Sequence, residues 1–212
     1  MNVNEDEAAE PLEVAAQVYA RLGRLPAATR LAELAVEARR ARCLESATED
    51  RLGEHAYALD LLASIFRARG MTDAVTECLV QLVEMHFECG NPAGVAWAVR
   101  ELGAQALLSG DPDHAVVQLT RAAELYAECD DHDGELAEER GECRVLLGRA
   151  RLAQGDREAA LLCFKRAVDD FAGVGADELV REVTVLQDAV HSATEPPAPD
   201  LLRVGDFGLA EW

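Results

Sequence analysis

The amino-acid sequence predicts an all-α protein: an α-solenoid of about four antiparallel helix pairs closed by a C-terminal capping helix. Three observations carry this. Glycine-containing breaks fall at Gly23, Gly70, Gly90, Gly110 and Gly155, with helix-length stretches between them. Those stretches are dominated by Ala, Leu, Glu and Arg, which lose little on entering a helix. Part of the chain also repeats itself at a fixed offset. Aromatics make up only 5% of the 212 residues, and no segment alternates with period two for long enough to make a strand.

Each helix has a stated cause. Apolar residues recur at helical spacing, as in Leu59, Leu62, Ile65 and Phe66, or Val116, Leu119, Ala123 and Tyr126. The expected helices lie near 6–22, 26–44, 48–69, 72–89, 92–109, 112–129, 134–154, 157–172 and 176–193. Ser46 and Glu49 are spaced as a capping box. Asp111 can cap the sixth helix, with Pro112 pre-set at its first position. Asp156 can cap the eighth, and Pro26 and Pro92 sit where helices begin. The last helix carries Leu179, Val183, Leu186 and Val190 on one stripe, as a cover for the open end of a stack requires.

The repeat is clearest between residues 84 and 175. Gly103, Gly110, Asp111, Ala115, Leu119, Ala122 and Tyr126 recur 45 residues later as Gly148, Gly155, Asp156, Ala160, Phe164, Ala167 and Phe171. At the junctions the offset is 40: Glu88-Cys89 matches Glu128-Cys129, and Gly94 matches Gly134. The difference implies an insertion between Gly134 and Leu147 that lengthens the seventh helix. Tyr19, Gly23, Ala28, Ala32 and Ala35 keep the same helix-turn-helix spacing upstream. Small residues at Gly103 with Ala115, and at Gly148 with Ala160, would let paired helices approach closely. Leu119 and Phe164 would then fill the space against the next pair. One pair cannot bury its apolar face alone, so neighbours must stack.

Charge and composition exclude several functions. Forty acidic residues against twenty basic ones give a net charge of -20, which repels phosphate backbones and anionic lipid. A nucleic-acid or membrane partner is therefore not expected. The acidic start, Met1 to Glu7, lacks a signal pattern, which points to the cytoplasm. Cys43, Cys78, Cys89, Cys129, Cys143 and Cys163 show no Cys-x-x-Cys spacing and read as free thiols. Cys129-x-x-His132 and His86-x-x-Cys89 offer at most two ligands each and read as inter-repeat turns, so no metal or other cofactor is expected. The histidines are scattered and no nucleophile, phosphate-loop or dinucleotide motif occurs, so the protein is not expected to be an enzyme.

The stretches Leu102-Gly103…Ala106…Gly110-Asp111…Ala115…Leu119…Ala122 and Leu147-Gly148…Gly155-Asp156…Ala160…Phe164…Ala167 resemble a tetratricopeptide-repeat (TPR) protein. The junction from Leu125 to Glu135 is similar to the longer-repeat subgroup of bacterial signalling and transcriptional regulators. The resemblance implies a right-handed superhelical solenoid over 1–193, with pairs near 6–44, 48–89, 92–129 and 134–172 and a cap at 176–193. Residues 194–212 form a Pro-rich linker and an apolar tail.

The same resemblance implies that the first helix of each pair lines a concave groove. By register, that surface comprises Tyr57 and Arg67 in the second pair, Trp97, Arg100, Leu107 and Leu108 in the third, and Val145, Arg149 and Leu152 in the fourth. Its arginines could grip an acidic protein or peptide partner, or pair with nearby glutamates. In the tail, Leu201, Leu202, Val204, Phe207, Leu209 and Trp212 could pack on the last helix, serve as a partner-binding motif, or fill the groove. The expected function is a non-enzymatic adaptor or regulatory partner. The alternatives are a self-associating scaffold, here a homodimer joined through the tail or end helices, and a small-molecule-sensing repeat protein.

Overall fold

A computed structural model of the protein describes residues 6–129, 134 and 136–192. Among the described residues there are nine α-helices in the order α1 (Asp6–Arg21), α2 (Leu25–Glu45), α3 (Glu49–Ala68), α4 (Thr72–Glu88), α5 (Pro92–Leu108), α6 (Pro112–Glu128), α7 (Ala137–Ala153), α8 (Arg157–Gly173) and α9 (Asp177–Ser192). No strand occurs among them. None of these helices is long and apolar enough to cross a membrane. The tail residues Leu201, Leu202, Val204, Phe207, Leu209 and Trp212, and the turn containing His132, lie outside the described residues.

Local signals place most boundaries. Asp111 Oδ1 accepts from the His114 amide at 3.0 Å, and Asp156 Oδ1 from the Ala159 amide at 3.1 Å, satisfying donors that a helix start leaves orphaned. Gly110 and Gly155 precede these caps with φ of 77° and 83°, a region that glycine enters without steric cost. Two expectations are corrected. Ser46 does not cap α3. It ends α2 in an extended conformation, and Thr48 caps α3 by accepting from the Arg51 amide. The insertion does not lengthen α7 either, since α5 and α7 each have 17 residues. The extra residues lie in the junction before Ala137. Gly94 and Gly134 are accordingly not equivalent: Gly94 is in the first turn of α5, and Gly134 is in the junction with φ 74°.

The chain divides into two compact units between Gly94 and Val95. In the first, α1 packs on α2, α2 on α3 and α3 on α4. Ala16, Ala28, Ala32 and Ala35 are fully buried in α1 and α2, and such short side chains permit close helix approach. The α3–α4 pair buries larger residues, among them Leu59, Ile65, Leu79 and Leu82. Charge ties three helices together. Arg39 on α2 donates through Nε and Nη2 to both oxygens of Glu13 on α1, at 2.9 and 3.1 Å. Its Nη1 reaches Glu54 on α3 at 2.7 Å, and Arg42 reaches the same oxygen at 2.9 Å.

Two histidines of this unit make its stability pH-dependent. Burial lowers the His55 pKa, with the Arg40 charge adding to it, and burial lowers that of His86. Both stay neutral in the folded chain at pH values where the unfolded chain, near its ordinary value of about 6.5, takes up protons. Their contribution is complete above that pH and is lost as pH falls through the lowered folded values. Thermal melts between pH 7.5 and pH 5 should show this loss, and a flatter profile in His55→Gln and in His86→Gln. An unchanged slope in both variants would refute it.

In the second unit α6 packs on α7, α7 on α8 and α8 on α9. One apolar cluster joins Val145 and Leu152 of α7, Ala160, Phe164, Ala167 and Phe171 of α8, and Val183, Leu186 and Val190 of α9. The repeat glycines occupy equivalent places. A Cβ on Gly103 would lie 2.5 Å from Leu119 Cγ, and one on Gly148 would lie 2.5 Å from Phe164 Cε1. The glycine notch thus receives the large residue of its own pair, Leu119 or Phe164, which spacing alone had assigned to the space against the next pair. Beside this cluster Asp170, buried on α8, accepts from Arg140 Nε at 3.1 Å and from Arg144 Nη1, one turn apart on α7.

Candidate interaction surface

The stripe expected to line a groove divides into reachable and enclosed residues. In the first unit Tyr57 is exposed and accepts a hydrogen bond from Gln17 on α1, while Arg67 is half-buried. In the second unit Trp97 and Leu107 are half-buried and Leu108 is exposed. Arg100, Val145, Arg149 and Leu152 are buried. Val145 and Leu152 belong to the core that α7 shares with α8 and α9.

Arg100, 3% exposed, donates to Glu101 at 3.2 Å and to Glu142. Burial works against its positive charge, but Glu101, Tyr126 and Glu142 around it outweigh that and hold its pKa above the ordinary value. Burial likewise raises Glu142, and Arg100 offsets part of the rise. This arginine is neutralised within its own unit. An acidic partner would have to displace two carboxylates to use it.

A second surface was not found from the sequence. Between α8 and α9 lies an open cleft of about 680 Å³, lined by Asp156, Glu158, Ala159, Leu161, Leu162, Lys165, Gln187 and His191. The buried stripe of α8 runs through Ala160, Phe164, Ala167 and Phe171. Leu162 lies off that stripe and is 50% exposed. An apolar residue out of phase with the core was the available signal. Lys165, the single lysine of the chain, and His191 stand exposed among the lining residues with Asp156 and Glu158. One end is braced: Arg157 Nη2 donates to the carbonyl of His191 at 2.7 Å and to that of Val190, tying the start of α8 to the last turn of α9. The arrangement suits an apolar side chain with polar neighbours, as in peptide or protein recognition.

No family model matches the chain, and no curated protein matches it. Solved structures do. The apo form of RapI superposes with a TM-score of 0.76 at 15% identity, over 95% of this chain and 52% of that one. BtubC (BKLC) from P. vanneervenii gives 0.68 at 23% identity, over 81% of this chain and 66% of its own. Nearly identical TPR-like repeats of a Podosopora anserina putative kinesin light chain give 0.60 at 17% identity, over 93% and 100%. The protein has a tetratricopeptide-repeat fold. It spans about half the length of RapI and about two thirds of BtubC. The TPR fold accounts for the paired helices and for the glycine notches at Gly103 and Gly148.

The two buried thiols of the TPR fold are not poised for reaction. Burial raises Cys78 to about 11 and Cys143 to about 12, so both stay protonated at neutral pH, whereas reactive cysteines are thiolates. Among the described residues no group of three or more His, Cys, Asp or Glu is placed to hold a metal ion. Glu128 and Cys129 end α6, and their acidic neighbours up to Asp133 fall outside the described residues.

Proposed function

We propose that the protein is a non-enzymatic interaction module, an adaptor or regulatory partner in the cytoplasm, which binds a protein or peptide and neither nucleic acid nor membrane. The α8–α9 cleft carries this reading: apolar side chains set in a charged rim on a braced pair of helices, with little left to order on binding. Tyr57 in the first unit and Leu108 in the second, the exposed members of the expected stripe, are further candidate contacts. The net charge of -20 supports a protein partner over a polyanion.

Copurification from cells with the tagged full chain, read by mass spectrometry, tests the reading. Leu162→Glu, at an exposed site, should deplete the captured protein at least about tenfold at unchanged melting temperature. Loss with Leu108→Glu instead would place binding on the α5 face. Full retention by both variants would reject both surfaces.

A further inference from the structure

The first helix exposes a face that the other pairs bury. The turn glycines Gly23, Gly70 and Gly155 set a common register. The residues nine and five positions before them are Val14 and Val18 in α1, Leu61 and Ile65 in α3, and Leu146 and Ala150 in α7. Leu61, Ile65, Leu146 and Ala150 are all buried. Each of α3 and α7 packs between its own partner and the preceding helix, α2 or α6. Val14 and Val18 are 55% and 48% exposed, and Leu22, next in the same i, i+4 row, is 68% exposed. The Leu22 amide still donates to the Val18 carbonyl at 3.1 Å, so the row is continuous. Three large apolar side chains in line thus form an exposed face at the positions that α3 and α7 bury.

Charge decides which occupant fits. The row begins with exposed Glu10, four residues before Val14, and ends beside exposed Arg21. Acidic at one end and basic at the other, it is complementary to itself when reversed. A two-fold axis midway between Val14 and Val18 sets Val14 against Val18 of the second copy and Glu10 beside its Arg21. The contact is isologous, so it closes as a dimer instead of propagating.

We propose that the protein forms a homodimer through α1, packed antiparallel on α1 of a second copy, with the Val14–Val18–Leu22 rows in contact and Glu10 of each copy beside Arg21 of the other. The inference is independent of the α8–α9 cleft. Light scattering on the full chain over a dilution series tests it. The mass should move from about twice 22.9 kDa toward 22.9 kDa on dilution. Val18→Glu should give monomer with the helical circular-dichroism spectrum of wild type. Glu10→Arg and Arg21→Glu each place like charges together at both ends, and each should self-associate at least about tenfold more weakly. Mixed in equal amounts they should recover a 1:1 heterodimer, because both contacts again join opposite charges. A wild type that stays monomeric throughout would overturn the proposal. So would a Val18→Glu chain as dimeric as wild type, or a mixture no more associated than its two components.

Discussion

Phe164→Ala is expected to lower the unfolding free energy by about 3–5 kcal/mol, the usual cost of emptying a core site of that size. Phe164 is fully buried and shares its cluster with residues of α7, α8 and α9, so its loss loosens three helices together. The sharper expectation is its coupling to Gly148. Alanine at 148 would set a Cβ 2.5 Å from Phe164 Cε1 and 2.8 Å from Cδ1, and a buried ring has no room to withdraw. Overpacking of this kind costs about 1–3 kcal/mol, set against a helix-propensity gain of up to about 1 kcal/mol for Gly→Ala. In the Phe164→Ala background the clash is gone and only the gain is left. Gly148→Ala should then be neutral or stabilising. A double-mutant cycle from urea titrations followed by circular dichroism would measure this coupling. Additive effects would mean that the notch does not hold the ring.

That notch was legible in the sequence as a position, since Gly103 and Gly148 share an offset with Leu119 and Phe164. Its occupant was not, because spacing along a helix does not say whether a large side chain fills space within its own pair or against the next. The caps show a similar limit. Asp111 and Asp156 were readable because a turn glycine and an acidic side chain coincide. At α3 the capping-box spacing pointed to Ser46, while the acting hydroxyl, Thr48, has Arg51 where the motif would have Glu.

The interaction surface was the least legible part. Register assigns Arg100, Val145, Arg149 and Leu152 to one face of their helices, but depth on that face depends on what packs over it. Val145 and Leu152 lie in the cluster shared by α7, α8 and α9, and Arg100 is held by Glu101 and Glu142. Tyr57 and Leu108, read from the same register, are open. The exposed row on α1 had a simple sequence signature, three apolar residues at i, i+4 and i+8. Only its contrast with buried Leu61 and Leu146 separates it from an ordinary core stripe.

Arg39→Ala should cost about 3–5 kcal/mol, the range for removing one member of a buried ion pair. Arg39 and Glu13 are both buried and meet through two parallel hydrogen bonds. The Glu13 hydrogen bonds, together with the charges of Glu13 and Glu54, hold the guanidinium pKa above its ordinary value despite burial. Truncation leaves the Glu13 carboxylate in the interior without that partner, whereas Glu54 still has Arg42 at 2.9 Å. The penalty is therefore mainly that of an uncompensated charge and not the net worth of the pair. The two can be separated. In Glu13→Leu with Arg39→Met both charges disappear and apolar volume replaces them, so stability should return to near the wild-type value or above it. Chemical denaturation of the three chains under one buffer condition checks this. A double variant as unstable as Arg39→Ala would show that the pair itself stabilises α1 on α2. Recovery would leave it a role in register: the bidentate fork admits one alignment of Glu13 with Arg39, which alanines as small and uniform as Ala16, Ala28, Ala32 and Ala35 cannot enforce.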